Sequence, residues 1–222
     1  MAVMKRAFAS AATAAAAVAF GAGVELPSSE MTPARTHDLL QRHDLLRLHP
    51  RASLIFDAPA PDWVAVCLAE TPWVVVRLGE TRGGLIPIRV RGPAREQRHD
   101  ALISASSFAY RSTPEDLAGR RCEPWRAAQV PALAALARVD PVLTRRGCVW
   151  GPTGSIAFEL ATRLPASTPA CDLDLVLRQE EPPSFRHARE LLRELAEAAA
   201  PARIDVLIET RRGGINLASL AL

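Results

Sequence analysis

Lysine is all but absent. Among 27 basic residues only Lys5 is a lysine, so arginine carries the positive charge. Set against 24 acidic residues, this leaves a formal net charge of +3, too mild a field to call for nucleic acid as a partner. Cysteine is also sparse. Cys67, Cys122, Cys148 and Cys171 form no C-x-x-C pair, which argues against a zinc site or a disulfide frame and points to free thiols in a reducing compartment. No strongly apolar run is long enough to cross a membrane. The nearest approach is the alanine-rich stretch 7–18 behind Lys5 and Arg6, which imitates a signal peptide. Alanine is a weak hydrophobe and the run is short, so residues 1–30 are expected to be an extension outside the fold, with Met31 the natural start. Export is the competing reading of that segment.

What is present suffices for a sizeable core: 222 residues, 49% of them hydrophobic, form one domain or two small ones. The expected fold class is α+β. Strands are predicted at Trp63 to Leu68, Trp73 to Arg77 and Leu85 to Arg91, with Pro87 at an edge or bulge. Gly92-Pro93 breaks the chain, and a helix is expected through Ile103, setting Arg95 and Arg98 on one face with Gln97 as polar support. Residues 111–124 read as irregular, and residues 124–137 as one helix ended by Asp140-Pro141. The linker is placed near 110–140, giving domains 31–140 and 141–222. Pro182-Pro183-Ser184 should cap an amphipathic helix whose apolar stripe is Leu191, Leu192, Leu195 and Ala199.

The chemistry concentrates between Trp150 and Leu177. Gly151, Gly154 and Ser155 make a tight turn into an apolar, helix-like run, Ile156 to Leu164. A helix N-terminus presents free N–H groups and the positive end of a dipole, which suit a phosphate. Ser155 adds a hydroxyl donor or caps the helix. Asp172-Leu173-Asp174 then opens an alternating strand, so both carboxylates share one face and offer a hard cation its oxygen ligands. A second alternating strand, Arg203 to Glu209, carries Asp205, which completes a three-carboxylate cluster if the two strands are neighbours. Each part alone has a plain structural reading: a cap, or the wet face of a sheet. Their order suggests a nucleotidyl-type transfer.

Gly154-Ser155 with Asp172-x-Asp174 and Asp205 resembles the active-site signature of the DNA polymerase β-like nucleotidyltransferase superfamily. The stretch W-G-P-T-G-S-I-A-F-E-L-A-T followed by D-L-D-L-V-L resembles one branch more closely, the phosphoribosyl-dephospho-CoA transferases of malonate decarboxylase. His43-Asp44-Leu45-Leu46 and the segment Val90 to Arg98 resemble two further segments of that family. The resemblance covers roughly residues 31–220. It implies a mixed N-terminal domain and a nucleotidyltransferase-like C-terminal domain with a small mixed sheet. It implies Asp172, Asp174 and Asp205 as catalytic metal ligands for Mg²⁺ or Mn²⁺, and Gly154, Ser155, Arg91, Arg95 and Arg98 as donor-binding residues. The implied donor is 2′-(5″-triphosphoribosyl)-3′-dephospho-CoA, the implied partner the acyl-carrier subunit, and the implied location the cytoplasm, with no nucleic acid and no membrane. Members are expected to continue beyond Leu222 with a basic, glycine-containing segment, so a C-terminal truncation is expected here. Two alternatives stay open: a transferase of AMP from ATP to another protein or small molecule, and an inactive module that docks on a carrier protein.

Overall fold

The structure is a computed structural model and describes residues 40–79, 83–94 and 96–222. The extension expected at 1–30 and the cation Arg95 lie outside the described residues. The N-terminal half is an antiparallel sheet of β1 (Leu45–Leu48), β2 (Trp73–Val76), β3 (Ile86–Arg91), β4 (Arg98–Ile103) and β5 (Phe108–Ser112), in the order β4-β3-β2-β1-β5. Helix α1 (Asp62–Glu70) lies between β1 and β2 in the chain. The C-terminal half is a mixed sheet of β6 (Val149–Pro152), β7 (Leu173–Arg178), β8 (Ile204–Thr210) and β9 (Gly213–Asn216), in chain order across the sheet. Only β7 and β8 run parallel. Around this sheet pack α2 (Pro114–Ala118), α3 (Pro124–Gln129), α4 (Pro131–Arg145), α5 (Gly154–Thr162), α6 (Phe185–Ala199) and α7 (Leu217–Leu220). The α+β class expected from the sequence is the one observed. Among the described residues no helix is long and apolar enough to cross a membrane.

Two apolar clusters organise the chain, and β1 feeds both. Leu46 joins Val74, Ile88 and Ile103 in the N-terminal core, while Leu45 joins Leu136, Ile156, Leu173 and Leu195 in the C-terminal one. Alternation along a strand sends neighbouring side chains to opposite faces, so this sheet is covered on both sides where the halves meet. Gly151 shows how closely: a Cβ there would overlap the backbone of Pro114, so β6 can lie on α2 only with glycine at that position. Arg178 ties the same junction, donating to Glu115 (2.6 Å), to Glu209 and to the Arg42 carbonyl (3.1 Å).

Several sequence expectations give way. Residues 63–68 are helical, not a strand. Val66 faces solvent at 57% exposure while Val64 is buried and Trp63 and Leu68 pack on the N-terminal core, a helical period that a six-residue apolar run disguises. No helix follows Gly92-Pro93. The chain turns, with Gln97 closing the turn through its side chain to Ala94 N–H (3.0 Å), and Arg98 begins β4. Pro87 sits in an inner strand rather than at an edge or bulge. The one ladder bond lost falls opposite Arg77, just past the end of β2 at Val76, and the Pro87 carbonyl still accepts from Arg77 N–H. Where a linker was expected near 110–140, the chain forms three helices. A capping box between Thr113 and Asp116 starts the first, Pro131 separates the next two, and α4 runs through Pro141 because Val139, Val142 and Leu143 are buried in the C-terminal core.

Candidate active site

Strand β6 runs antiparallel to β7 as far as Pro152 opposite Leu175, and Thr153 N–H then donates to the Asp174 carbonyl (2.8 Å). The next residue must turn the chain into α5. Gly154 does so at φ +65°, in the left-handed region that favours glycine. A Cβ at Gly154 would also collide with Asp174 Oδ2. The turn and the carboxylate therefore share one crowded space, and only glycine leaves room for both. No side chain caps α5: Thr153 makes no such bond, and Ser155 Oγ is directed instead at Cys171 Sγ (3.4 Å). The start of such a helix offers a phosphate its backbone N–H groups and the positive end of its dipole.

Asp174 and Asp205 are in register on the parallel pair β7 and β8, so the expected neighbouring of the two strands is found. Directly paired residues on adjacent strands place their side chains on one face. Asp174 is half-buried and Asp205 exposed. Asn216 Nδ2 donates to Asp205 Oδ1 (2.5 Å). Asp172, just before β7, is drawn to Arg203 Nε (2.7 Å). Among the described residues no three His, Cys, Asp or Glu side chains gather closely enough to hold a metal ion, so the three-carboxylate cluster is not assembled in this arrangement. What stands together is a pair, Asp174 and Asp205, with Asp172 engaged alongside. Two carboxylates are enough for a magnesium ion that completes its shell with substrate phosphates and water. The donor chemistry and the room that Gly154 leaves beside Asp174 Oδ2 fit such an ion.

The N-terminal domain contributes a cation. Arg91 and Arg98 face each other across β3 and β4 rather than along a helix. Arg91 is half-buried and Arg98 exposed. Burial lowers the Arg91 pKa and the neighbouring Arg98 charge lowers it further, while Asp174 and Cys171 pull the other way. The Asp174 carboxylate is thus within electrostatic reach of a guanidinium carried by the other half of the chain.

Two groups near the site had no role in the sequence analysis. Arg126 is buried and donates to both oxygens of Glu159 (2.7 and 2.9 Å) and to the Ser167 carbonyl (2.8 Å). Glu159 Oε2 also accepts from the N–H groups of Ala166 (2.9 Å) and Ser167 (2.8 Å). This network ties α5 to the loop that delivers Asp172 and Asp174. Its members lie 33 residues apart, and only the buried charges themselves, in otherwise apolar helices, could have signalled it. Cys171 is half-buried, and its sulfur accepts from Thr168 N–H (3.3 Å) as well as Ser155 Oγ. Burial raises the thiol pKa, yet these hydrogen bonds from Ser155 and Thr168 outweigh it and hold the thiol below its usual range.

Comparison with known proteins places both halves of the chain in one family. The family model described as "Phosphoribosyl-dephospho-CoA transferase MdcG C-terminal domain" matches residues 117–221, and the corresponding N-terminal domain model matches residues 41–114. A phosphoribosyl-dephospho-CoA transferase of Pseudomonas putida is 42% identical over 183 residues, 81% of this chain and 85% of the relative. One from Azotobacter vinelandii is 39% identical over 183 residues, 82% of this chain and 84% of the relative. One from Pseudomonas fluorescens strain Pf0-1 is 37% identical over 175 residues, 79% of this chain and 81% of the relative. No solved structure matches the chain. The two family models span residues 41–114 and 117–221, and the chain belongs to the family they describe: the phosphoribosyl-dephospho-CoA transferases.

Proposed function

We propose that this enzyme transfers the phosphoribosyl-dephospho-CoA group of 2′-(5″-triphosphoribosyl)-3′-dephospho-CoA to a serine hydroxyl on the apo acyl-carrier subunit of malonate decarboxylase, releasing diphosphate in the cytoplasm. The observation that carries this reading is the in-register pair Asp174 and Asp205 beside the uncapped N-terminus of α5. The serine Oγ bonds to the α-phosphorus of the 5″-triphosphate as the bond from that phosphorus to the bridging β-phosphate oxygen breaks. Diphosphate departs with the bond electrons, and a phosphodiester remains.

The N–H groups at the start of α5 donate to triphosphate oxygens, and the helix dipole favours their charge. Ser155 joins this cradle when its hydroxyl turns from Cys171 Sγ to a phosphate oxygen. Arg91 faces the charge that develops as diphosphate leaves, with Arg98 across the strand pair adding to the cationic side. Asp205, the more exposed carboxylate, takes the proton of the attacking serine. Asp174 and Asp205 would hold Mg²⁺ or Mn²⁺, joined by Asp172 once it leaves Arg203. Bound there, the ion neutralises phosphate charge and makes the serine hydroxyl a better nucleophile. In-line displacement needs no covalent enzyme intermediate.

The test is mass spectrometry of apo acyl-carrier subunit incubated with the enzyme, Mg²⁺ and the triphosphoribosyl donor. A mass gain matching phosphoribosyl-dephospho-CoA, abolished by EDTA, is expected. An AMP adduct formed from ATP, with no gain from the dephospho-CoA donor, would replace the donor. Silence with both, while the carrier still binds, would overturn the transferase reading in favour of a docking module.

A further inference from the structure

Asn216 ends β9, opposite Leu207 of β8, and the ladder goes no further. Asp205, two residues before Leu207, therefore lies past the end of β9, with Asp174 beside it on its other flank. Into that space Asn216 sends its side chain, and both ends of the amide are used. Its Oδ1 accepts from Ala218 N–H (2.8 Å) and caps α7, while its Nδ2 donates to Asp205 Oδ1 (2.5 Å). These two bonds fix the amide's orientation. A backbone N–H can only be met by the oxygen end, so the NH₂ end must face the carboxylate. Asp205 Oδ2 has no hydrogen-bond partner among the described residues.

We infer that Asn216 is a positioning residue for the transfer proposed above, holding one oxygen of Asp205 so that the other is presented to the acceptor hydroxyl and its cation. The inference rests on Asp205 carrying that chemistry. An exposed aspartate on a strand otherwise samples several rotamers, and a doubly anchored amide removes that freedom. A cap alone does not call for this residue, since Asp and Ser cap as well as Asn. Asn alone among them places an acceptor for the helix and a donor for Asp205 on separate atoms with the necessary reach.

That distinction supplies the experiment. Asn216→Ser and Asn216→Asp both keep a good cap, and both lose the donor to Asp205. Each is expected to melt with the wild type, to lose about tenfold or more in kcat, and to keep the donor KM within about twofold. Asn216→Asp should be the slower of the two, because it sets a second carboxylate against Asp205. Mn²⁺ binding, titrated directly without substrates, should weaken about tenfold in Asn216→Ser. If both variants keep kcat within twofold, Asn216 is only a cap and the inference is overturned. It is overturned equally if activity falls only in step with the melting temperature. Asp205→Asn, assayed alongside, separates the two levels. If it turns over normally, the role of Asp205 itself fails. If it is inactive while the Asn216 variants are normal, only the positioning role fails.

Discussion

Replacing Glu159 by alanine removes one half of the buried network beneath the site. It would leave Arg126, only 9% exposed, with the Ser167 carbonyl and Gln129 as remaining partners, and it would strip the acceptor from the N–H groups of Ala166 and Ser167. Breaking a buried pair from one side costs about 3–5 kcal/mol, chiefly because a charge is left in a poor solvent. For a chain of this size that corresponds to a fall in melting temperature of roughly 6–20 °C. Thermal denaturation followed by circular dichroism reads this directly. The double replacement Arg126→Met with Glu159→Leu removes both charges and should recover most of the loss, since a buried ion pair is worth little more than apolar groups of similar volume. The sign with pH follows from the same contacts. Burial alone would raise the Glu159 pKa, but bonds from Arg126 and from the Ser167 and Ala166 N–H groups bring it below its ordinary value of 4.5. The network's contribution is therefore fully present above about pH 4.5 and is lost as pH falls through the lower folded value. A Glu159→Ala variant melting within 2 °C of the wild type, or a double variant no better than the single, would refute this account of how the loop is held.

Three further outcomes test the site itself. Gly154→Ala should abolish transfer and cost on the order of 1–3 kcal/mol in denaturant unfolding, since it combines a left-handed backbone with a collision at Asp174; an active, stable variant would mean the turn is not crowded as described. Asp174→Asn should lose at least about 10³-fold in transfer, a loss on the scale of deleting a group essential to the chemistry, with little change in the unfolding midpoint; near-normal turnover in the mass assay would remove it from the chemistry. Arg91→Ala should raise the donor KM more than it lowers kcat, and an unchanged KM would restrict Arg91 to holding the two halves together.

The C-terminal site was largely legible because its signals are local. A glycine that must turn, an apolar helix behind it and two alternating strands each declare themselves within ten residues, and the pairing of Asp174 with Asp205 follows from the strands being neighbours. The N-terminal half was less legible. Trp63 to Leu68 and Arg98 to Ile103 are short runs in which helical and strand periods cannot be told apart until packing decides, and it decided against the sequence in both. Relations across the chain left no local trace. Nothing around Gly151 announces that Pro114 will lie on it, nor does Arg126 announce Glu159. Arg91 comes within electrostatic reach of Asp174 only because the fold brings the end of an inner strand of one sheet toward the other sheet.

The junction also contains a pair whose effects are hidden until one member is removed. His43 is held down to about 4 from 6.5, first by burial and then by the Arg42 and Arg178 charges. Asp44 is held up to about 6 from 3.8 because burial outweighs the Gln41 N–H and Arg111. The two act in opposite directions. Between pH 6.5 and 4 the unfolded chain takes up the His43 proton and the folded one does not, so stability falls as pH is lowered. Between pH 6 and 3.8 the folded chain takes up the Asp44 proton first, so stability rises as pH is lowered. Each displacement of a little over two pKa units corresponds to roughly 3 kcal/mol, and over nearly the same window they cancel. Asp44→Asn exposes the balance. Its stability relative to wild type should drop by roughly 3 kcal/mol between pH 7 and pH 4, because every other titrating group is common to both proteins. His43→Asn should show the opposite trend over the same range. Urea unfolding at a series of pH values measures both, and profiles that run parallel to the wild type would show that neither group is shifted by its burial at the junction.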